Sequence, residues 1–278
     1  KTKYLDAIQD KSSNWIIKLK DLSLNKSYLV KSKYLILALG AGKSPIALKK
    51  LGLKHKQLGK FEIHPSARIS SFFPYEKPSN AVVEPFQITG HFPYLMIGST
   101  ATRPELSKSA YPFKSNMHNI NFNRVQNFYS MAPSNNKGRI ILSGFLRGIK
   151  FYNLDLKTRS ILYSGLEFII ENSFKAGAEI IYHLDDVINA EDYLNNDLAK
   201  KFIDSCINKT LSSVHIMASA SIGEQHKLCP LNSNGMIDGI KNLLVADQSL
   251  LPSCPTVNPQ STSCAVVLII TKKFLKSI

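Results

Sequence analysis

The sequence predicts an α/β region built around a parallel sheet, together with a middle region of α+β character. The first observation is a continuous apolar run, Tyr34–Leu39, that ends in a glycine turn at 40–42 and leads into a short helix. The second is an apolar segment at 242–246 that ends in Asp247 and precedes a helix starting at Asn258-Pro259. Strands that are apolar on both faces suit the centre of a parallel sheet. Asn and Pro favour the N-cap and the first helical position.

The other elements follow from shorter patterns along the chain. Partial alternation over 14–21 and again from residue 26 predicts a β-hairpin near the start. Between about 59 and 192, short strand-like segments are separated by Pro and Gly, which is typical of a mixed region. Apolar spacing predicts helices over 161–175 and 199–207.

Composition excludes several classes of protein. The 278 residues are 44% hydrophobic and 20% charged, which excludes general disorder. No uninterrupted apolar run reaches the length of about 18–20 residues that a membrane-spanning helix needs. The net charge of +15 comes mostly from scattered Lys, whereas nucleic-acid sites usually cluster basic residues and use Arg. The charge therefore indicates a Lys-rich surface that favours weak association with anionic membranes, and no specific nucleic-acid partner.

Metal and phosphate-loop motifs are absent from the sequence. Leu37 and Pro45 break the P-loop and dinucleotide fingerprints around Gly40-Ala-Gly-Lys-Ser44. The four cysteines have neither C-x-x-C spacing nor a partnering His pair, so we expect free thiols and no metal site; they are Cys206, Cys229, Cys254 and Cys264.

Three polar residues each allow a structural and a functional interpretation. His215 lies among small and apolar residues, where a histidine is either a satisfied core residue or a catalytic base. Asp247 is either a strand-end turn former or a ligand contact, and Asn258 is either a plain N-cap or an active-site amide. Taken alone, the residues leave these alternatives open.

The order of motifs resembles the glucose–methanol–choline (GMC) flavin oxidoreductases. His215, the segment 239–249 and the sequence Val257-Asn-Pro-Gln-Ser-Thr262 are similar to the C-terminal signature of that family. Upstream, the segments 34–45 and 57–65 resemble the family's strand and turn near the FAD adenosine half and the stretch that follows it. The resemblance brackets almost the whole chain.

The resemblance implies FAD as cofactor and a particular division of the chain. Residues 1–60 would form part of a Rossmann-like FAD-binding domain, 61–205 an antiparallel-sheet substrate domain, and 206–278 the return to the FAD domain with the active site. The family carries a G-x-G-x-x-G unit near its N-terminus, and this chain has none. We therefore expect a further FAD-binding segment upstream as a missing partner, and expect this chain alone to be inactive.

The resemblance also implies roles for individual residues. His215 would be the general base of the reaction, and Asn258 the second active-site residue, which donates a hydrogen bond but cannot take a proton at neutral pH. The helix after Pro259 would direct its positive end at the flavin. The implied FAD contacts are Gly40, Ala41, Asp247, Asn258, Pro259 and Thr262.

The implied substrate is a small-molecule alcohol. The chain most resembles the branch of the family that handles sterols and long-chain alcohols, partly through Asn258, which implies an apolar substrate. Aromatic pairs in the middle of the chain, such as Phe72-Phe73 and Phe92 with Tyr94, either line an apolar pocket or form the core. The competing hypothesis is a basic, non-catalytic binding protein that keeps the fold without flavin.

Overall fold

The computed structural model describes residues 1–76, 87–89, 96–100, 122–134 and 136–278. Phe92 and Tyr94 lie outside these residues. The strands are β1 (Thr2–Gln9), β2 (Trp15–Asp21), β3 (Lys26–Ser32), β4 (Leu35–Leu37), β5 (Lys60–Ile63), β6 (Ser66–Phe72), β7 (Gln87–Thr89), β8 (Met96–Thr100), β9 (Val125–Met131), β10 (Gly138–Ile140), β11 (Lys150–Phe151), β12 (Ile180–His183), β13 (Asp186–Asn189), β14 (Ile216–Met217) and β15 (Leu243–Val245). The helices are α1 (Ser44–Lys50), α2 (Leu156–Lys175), α3 (Ala190–Leu194), α4 (Asn196–Thr210) and α5 (Gln260–Lys276), with 3₁₀ turns at Phe122–Arg124 and Gln248–Leu250.

The chain divides into two compact units, each assembled from separate stretches. Unit 1 comprises Lys1–Ile63, Asn136–Asn153 and His215–Ile278, and unit 2 comprises His64–Asn135 and Leu154–Val214. The sequence prediction assigns residues 136–153 to the middle segment, whereas the structure includes them in unit 1, because β10 pairs with β5. The assignment of the predicted segments to cofactor and substrate remains a prediction.

Unit 1 contains three small sheets. The predicted hairpin is confirmed as β2 and β3, which form an antiparallel meander with β1. Strands β11, β10, β5 and β14 form a second sheet, in that order. The parallel strand is also confirmed: β4 pairs in parallel with β15, with Leu35 opposite Leu243. Helix α5 closes the core over this pair through Ile270 and Phe274.

Strand β4 is buried on one face only, whereas the sequence predicts a strand that is buried on both faces. Leu35 and Leu37 are buried, as expected for a central strand, but the Ile36 side chain between them is 52% exposed. Within the described ranges β4 pairs with β15 alone. The alternating burial follows because the side of the strand that carries Ile36 has no packing partner among these residues.

Unit 2 is a six-stranded sheet with helices packed against it. The strand order is β13-β12-β6-β9-β8-β7, and every pair is antiparallel. The N-cap of helix α2 is Asp155, whose carboxylate accepts from the Thr158 amide at 2.9 Å. The helix contributes Leu162, Leu166 and Ile170 to the core. The predicted helices at 161–175 and 199–207 are confirmed within α2 and α4. No helix in the described ranges is long and apolar enough to cross a membrane.

A buried histidine makes the stability of unit 2 depend on pH. The His183 side chain is 1% exposed, and its Nδ1 lies 2.9 Å from the Arg68 carbonyl oxygen, so Nδ1 carries the proton. Burial lowers the pKa of His183 below its usual value, although the nearby Asp186 carboxylate opposes the shift. The neutral ring is therefore favoured by folding, and this contribution is present above about pH 6.5 and lost as the pH falls through the folded-state pKa.

We expect His183→Asn to weaken the pH dependence of stability below about pH 6.5. The Asn amide can still donate to the Arg68 carbonyl but does not titrate. The measurement is the free energy of urea unfolding, followed between pH 7 and pH 5. His226→Asn is the control, since the His226 side chain is 71% exposed. An unchanged slope in His183→Asn would contradict the assignment.

Candidate active site

The carboxyl ends of the parallel strands β4 and β15 meet at one carboxylate. Asp247 follows β15, and its Oδ2 accepts a hydrogen bond from the Gly40 amide at 2.9 Å and another from the Ser44 hydroxyl. Its Oδ1 accepts from the Ser249 amide at 2.8 Å and thereby caps the 3₁₀ turn. Asp247 therefore joins the turn after one strand to the turn after the other, at the edge where α/β sheets bind ligands.

The turn at Gly40 leaves room for a ligand beside its backbone. Gly40 has φ +81°, in the left-handed region that favours glycine, and a Cβ at this position would meet no atom within 4 Å. Ala41 is buried, and its carbonyl oxygen accepts from the Ser219 hydroxyl at 2.6 Å. The Ala41 carbonyl oxygen thus already accepts a hydrogen bond within the protein, whereas the space beside the Gly40 backbone contains no protein atom.

His215 is positioned by the strand that follows it. Ile216 and Met217 of β14 pair with Ile63 and Glu62 of β5, which fixes the backbone directly after His215. The His215 side chain is 7% exposed, and burial lowers its pKa. The ring is therefore neutral at neutral pH, which is the form that a general base requires.

The loop that leads to Asn258 is attached to the same strand β5. The Cys254 amide donates to Glu62 Oε2 at 2.6 Å, and the Cys254 thiol lies 3.3 Å from the Ile63 carbonyl oxygen. Met217 packs in one cluster with Cys254 and with Val266 of α5. Strand β5 is therefore bonded both to the strand that follows His215 and to the loop that leads to Asn258. The joint role of His215 and Asn258 remains a prediction.

The helix at the site starts one residue later than the sequence predicts. Pro259 occupies the N-cap position with φ −81° and ψ −3°, α5 begins at Gln260, and no side chain caps its first turn. Asn258 precedes the cap, so the prediction of Asn258 as N-cap is wrong. Its Oδ1 is buried and has no hydrogen-bond partner in the described ranges.

The start of α5 can thus receive a ligand. Backbone amides of the first turn, which includes Thr262, have no side-chain acceptor, and the helix dipole adds partial positive charge there. Such a terminus favours an anionic or electron-rich group. The Asn258 Oδ1, a hydrogen-bond acceptor, adjoins this terminus without a partner in the described ranges.

Sequence reasoning missed a basic cavity in unit 1. The cavity has a volume of about 570 Å³, and residues from the start of β1 and from α1 line it. Lys3, Lys43 and Arg147 line it without an acidic side chain, and Lys50 also lies there but donates to the Leu5 carbonyl at 2.8 Å. These bases come from three distant segments, so no local motif marks them.

The floor of this basic cavity is apolar and contains one unsatisfied hydroxyl. Leu39 and Ile46 line it together with Tyr4, whose hydroxyl is buried and has no partner in the described part of the chain. Burial, reinforced by Asp6, raises the pKa of Tyr4 to about 12, so the hydroxyl stays protonated and can donate. Among the described residues no three His, Cys, Asp or Glu side chains gather as metal ligands would.

Residues 157–266 match the family model described as GMC oxidoreductase. Over these residues, which are less than half of the chain, the protein is similar to the C-terminal portion of that family.

Two curated relatives match most of the chain. An uncharacterized GMC-type oxidoreductase of Sinorhizobium fredii is 24% identical over 256 residues, which is 88% of this chain and 50% of the relative. A long-chain-alcohol oxidase of Arabidopsis thaliana is 24% identical over 270 residues, covering 84% of this chain and 36% of the oxidase. The chain thus spans about half or less of the length of these relatives.

Two solved structures share the fold. Pyridoxine 4-oxidase from Mesorbium loti has a TM-score of 0.64 at 11% identity, over 99% of this chain and 57% of that one. Formate oxidase from Aspergillus oryzae, in a structure concerned with FAD modification, has a TM-score of 0.69 at 13% identity, over 98% and 60%.

Proposed function

We propose that this chain carries the catalytic half of an FAD-dependent oxidoreductase that acts on the CH–OH group of an alcohol. The observation that carries the proposal is the buried, neutral His215 on the same β5 scaffold as the unsatisfied amide of Asn258. A base beside a hydrogen-bonding amide is what alcohol oxidation requires of the protein.

In this mechanism His215 takes the hydroxyl proton of the substrate. Its lowered pKa keeps the ring unprotonated before the reaction, and the proton then resides on the imidazole. Asn258 orients the substrate oxygen through its amide and cannot compete for the proton. Burial of His215 excludes water from the base.

Several features of unit 1 fit FAD. The open space at Gly40 and the uncapped first turn of α5 supply backbone contacts, and the basic cavity with the Tyr4 hydroxyl suits a phosphate-bearing ligand with an aromatic ring. The residues that would hold the cofactor are Gly40, Ala41, Asp247, Asn258, Pro259 and Thr262, and Lys43 extends this set. FAD held by these residues would supply the hydride acceptor for oxidation of the alcohol carbon.

We infer that unit 1 receives a further FAD-binding segment as its partner. Ile36 on β4 is 52% exposed, and on α5 Leu268 and Ile269 are 55% and 56% exposed. Relatives about twice as long support such a segment. A strand beside β4 would complete the parallel sheet, and a helix would bury the outer side of α5.

Unit 2 would supply the substrate domain. Its antiparallel sheet with packed helices has the architecture expected of that domain. An apolar alcohol, either a sterol or a long-chain alcohol, is favoured as substrate by the long-chain-alcohol oxidase among the relatives.

The test uses the full-length protein that contains this chain. We expect it to purify with flavin absorbance near 450 nm, roughly one FAD per chain, and to lose that absorbance anaerobically when a long-chain alcohol is added. A colourless protein that does not bind added FAD would contradict the proposal and would favour the non-catalytic binding protein. A yellow protein reduced by no primary, secondary or sterol alcohol would overturn the substrate class alone.

A further inference from the structure

In the β1–β3 meander of unit 1, β1 and β2 place one face in the core, whereas β3 is exposed along nearly its whole length. Ala7 and Trp15 are 4% and 2% exposed and belong to the core of unit 1. Side chains alternate along a strand, and residues opposite each other in an antiparallel ladder share a face. The register therefore places the following residues together on the other face: Ile8 opposite Ile16, Ile16 opposite Lys31, and Lys18 opposite Leu29. We call these residues the outer face.

The outer face carries exposed aliphatic side chains between charged ones. Ile8 is 63% exposed and Leu29 is 66% exposed. At the adjoining hairpin tip, Leu24 is 69% exposed beside Asn25, whose φ of 53° marks a tight turn. These exposures show that no described segment covers the outer face or the tip. Large aliphatic side chains displayed together on a surface indicate an interaction site.

Lysines surround these aliphatic side chains. Lys18 lies directly opposite Leu29, Lys20 follows on the same strand face, and Lys26 begins β3 beside the tip. Lys31 on the outer face is paired with Asp10 at 3.3 Å, and Asp6 lies opposite Lys18 on β1. The face therefore has a net positive charge with aliphatic groups between the charges.

This combination fits the surface of an anionic bilayer better than it fits a nucleic acid. Lysine is attracted to anionic headgroups, and Leu and Ile gain by entering the boundary with the acyl chains. A nucleic acid would neutralise the lysines but would leave Leu24 and Leu29 in water, and the face lacks the arginines that nucleic-acid sites favour.

We propose that the outer face and hairpin tip of the meander dock unit 1 on membranes that contain anionic lipid. Leu24 and Leu29 enter the headgroup boundary, and Lys18 and Lys26 contact lipid phosphate and carboxylate groups. The proposal is separate from the cofactor site, since none of these four residues lines the basic cavity.

The test measures co-sedimentation of the full-length protein with large unilamellar vesicles. We expect binding to vesicles of phosphatidylcholine with roughly 30% phosphatidylserine, and at least about tenfold weaker binding to phosphatidylcholine alone, because each lysine near an anionic surface adds to the attraction. Leu24→Ser with Leu29→Ser should weaken the anionic-vesicle binding by about tenfold or more. Lys18→Glu with Lys26→Glu should weaken it at least as much.

Matched controls carry the same types of substitution, Leu to Ser and Lys to Glu, at exposed residues of unit 2. Leu194→Ser with Leu198→Ser changes two other exposed leucines, and Lys175→Glu with Lys200→Glu changes two other exposed lysines. Both controls should bind vesicles like the wild type, and the flavin content of all four variants should be unchanged.

Three outcomes would overturn the proposal. The first is a wild-type protein that does not bind anionic vesicles, and the second is a leucine variant that binds them like the wild type. The third is a control pair that weakens binding as much as the outer-face pair. Retention on a double-stranded RNA or DNA column that depends on Lys18 and Lys26 but not on the leucines would instead assign the face to nucleic acid. None of these results alters flavin reduction, so the proposed function is tested separately.

Discussion

His215→Gln should reduce the rate of alcohol-dependent flavin reduction in the full-length protein by about 10²–10⁴-fold, the usual contribution of a general base. Gln has a side chain of similar size that can still form hydrogen bonds, but it cannot accept the proton at neutral pH. His215 is buried and lies directly before β14. The substitution therefore removes the base but changes no residue of the strand. Anaerobic stopped-flow absorbance of the flavin measures the rate directly.

The pH profile separates a base from a merely structural histidine. Burial lowers the pKa of His215, so the wild-type reduction rate should rise with pH, and the midpoint of this rise should lie below the usual histidine pKa of about 6.5. The Gln variant should lose that rise. His226→Gln, which changes an exposed histidine paired with Asp238 at 3.0 Å, is the control and should retain both rate and profile. An undiminished rate in His215→Gln would show that the base is another group.

Asp247→Ala should lower the free energy of unfolding by about 2–4 kcal/mol, since it removes an N-cap and the acceptor of two further donors. The Gly40 amide, the Ser44 hydroxyl and the Ser249 amide would all lose their partner. Denaturant unfolding of the full-length protein, followed by circular dichroism, measures the change. The same variant should also weaken FAD retention, because the turn at Gly40 is no longer fixed.

Asp247→Asn is the matched comparison for this prediction. Asn retains only one oxygen acceptor. This oxygen can accept either from the Ser249 amide or from the donors of the Gly40 turn, but not from both. We therefore expect it to be destabilised by less than the Ala variant. If both variants unfold at the wild-type denaturant concentration, Asp247 does not join the two turns, and its role would be contact with the cofactor alone.

The sequence predicts well those elements that depend on local signals. The apolar runs before Gly40 and Asp247 identify β4 and β15, since their composition and flanking turn residues are local properties. Apolar spacing likewise identifies α2 and α4. His215 and Asn258 emerge only through the family resemblance, because a single histidine among small residues has no local signature of catalysis.

Features that depend on distant pairing could not be predicted. The pairing of β10 with β5, which moves 136–153 into unit 1, places Gly138 opposite Phe61, 77 residues apart, and no local pattern in either segment indicates it. The start of α5 is displaced by tertiary contact, because the attachment of Cys254 to Glu62 fixes the loop that enters the helix. The basic cavity likewise combines residues from β1, α1 and the segment near Arg147.

The pairing of β4 with β15 has a consequence for biosynthesis. Leu35 lies opposite Leu243, so the core of unit 1 requires residues from both ends of the chain, whereas all of unit 2 lies between His64 and Val214. A ribosome that releases the chain from its N-terminus exposes every strand of unit 2 before β15 appears. Unit 2 can therefore close its core before β15 is available to pair with β4.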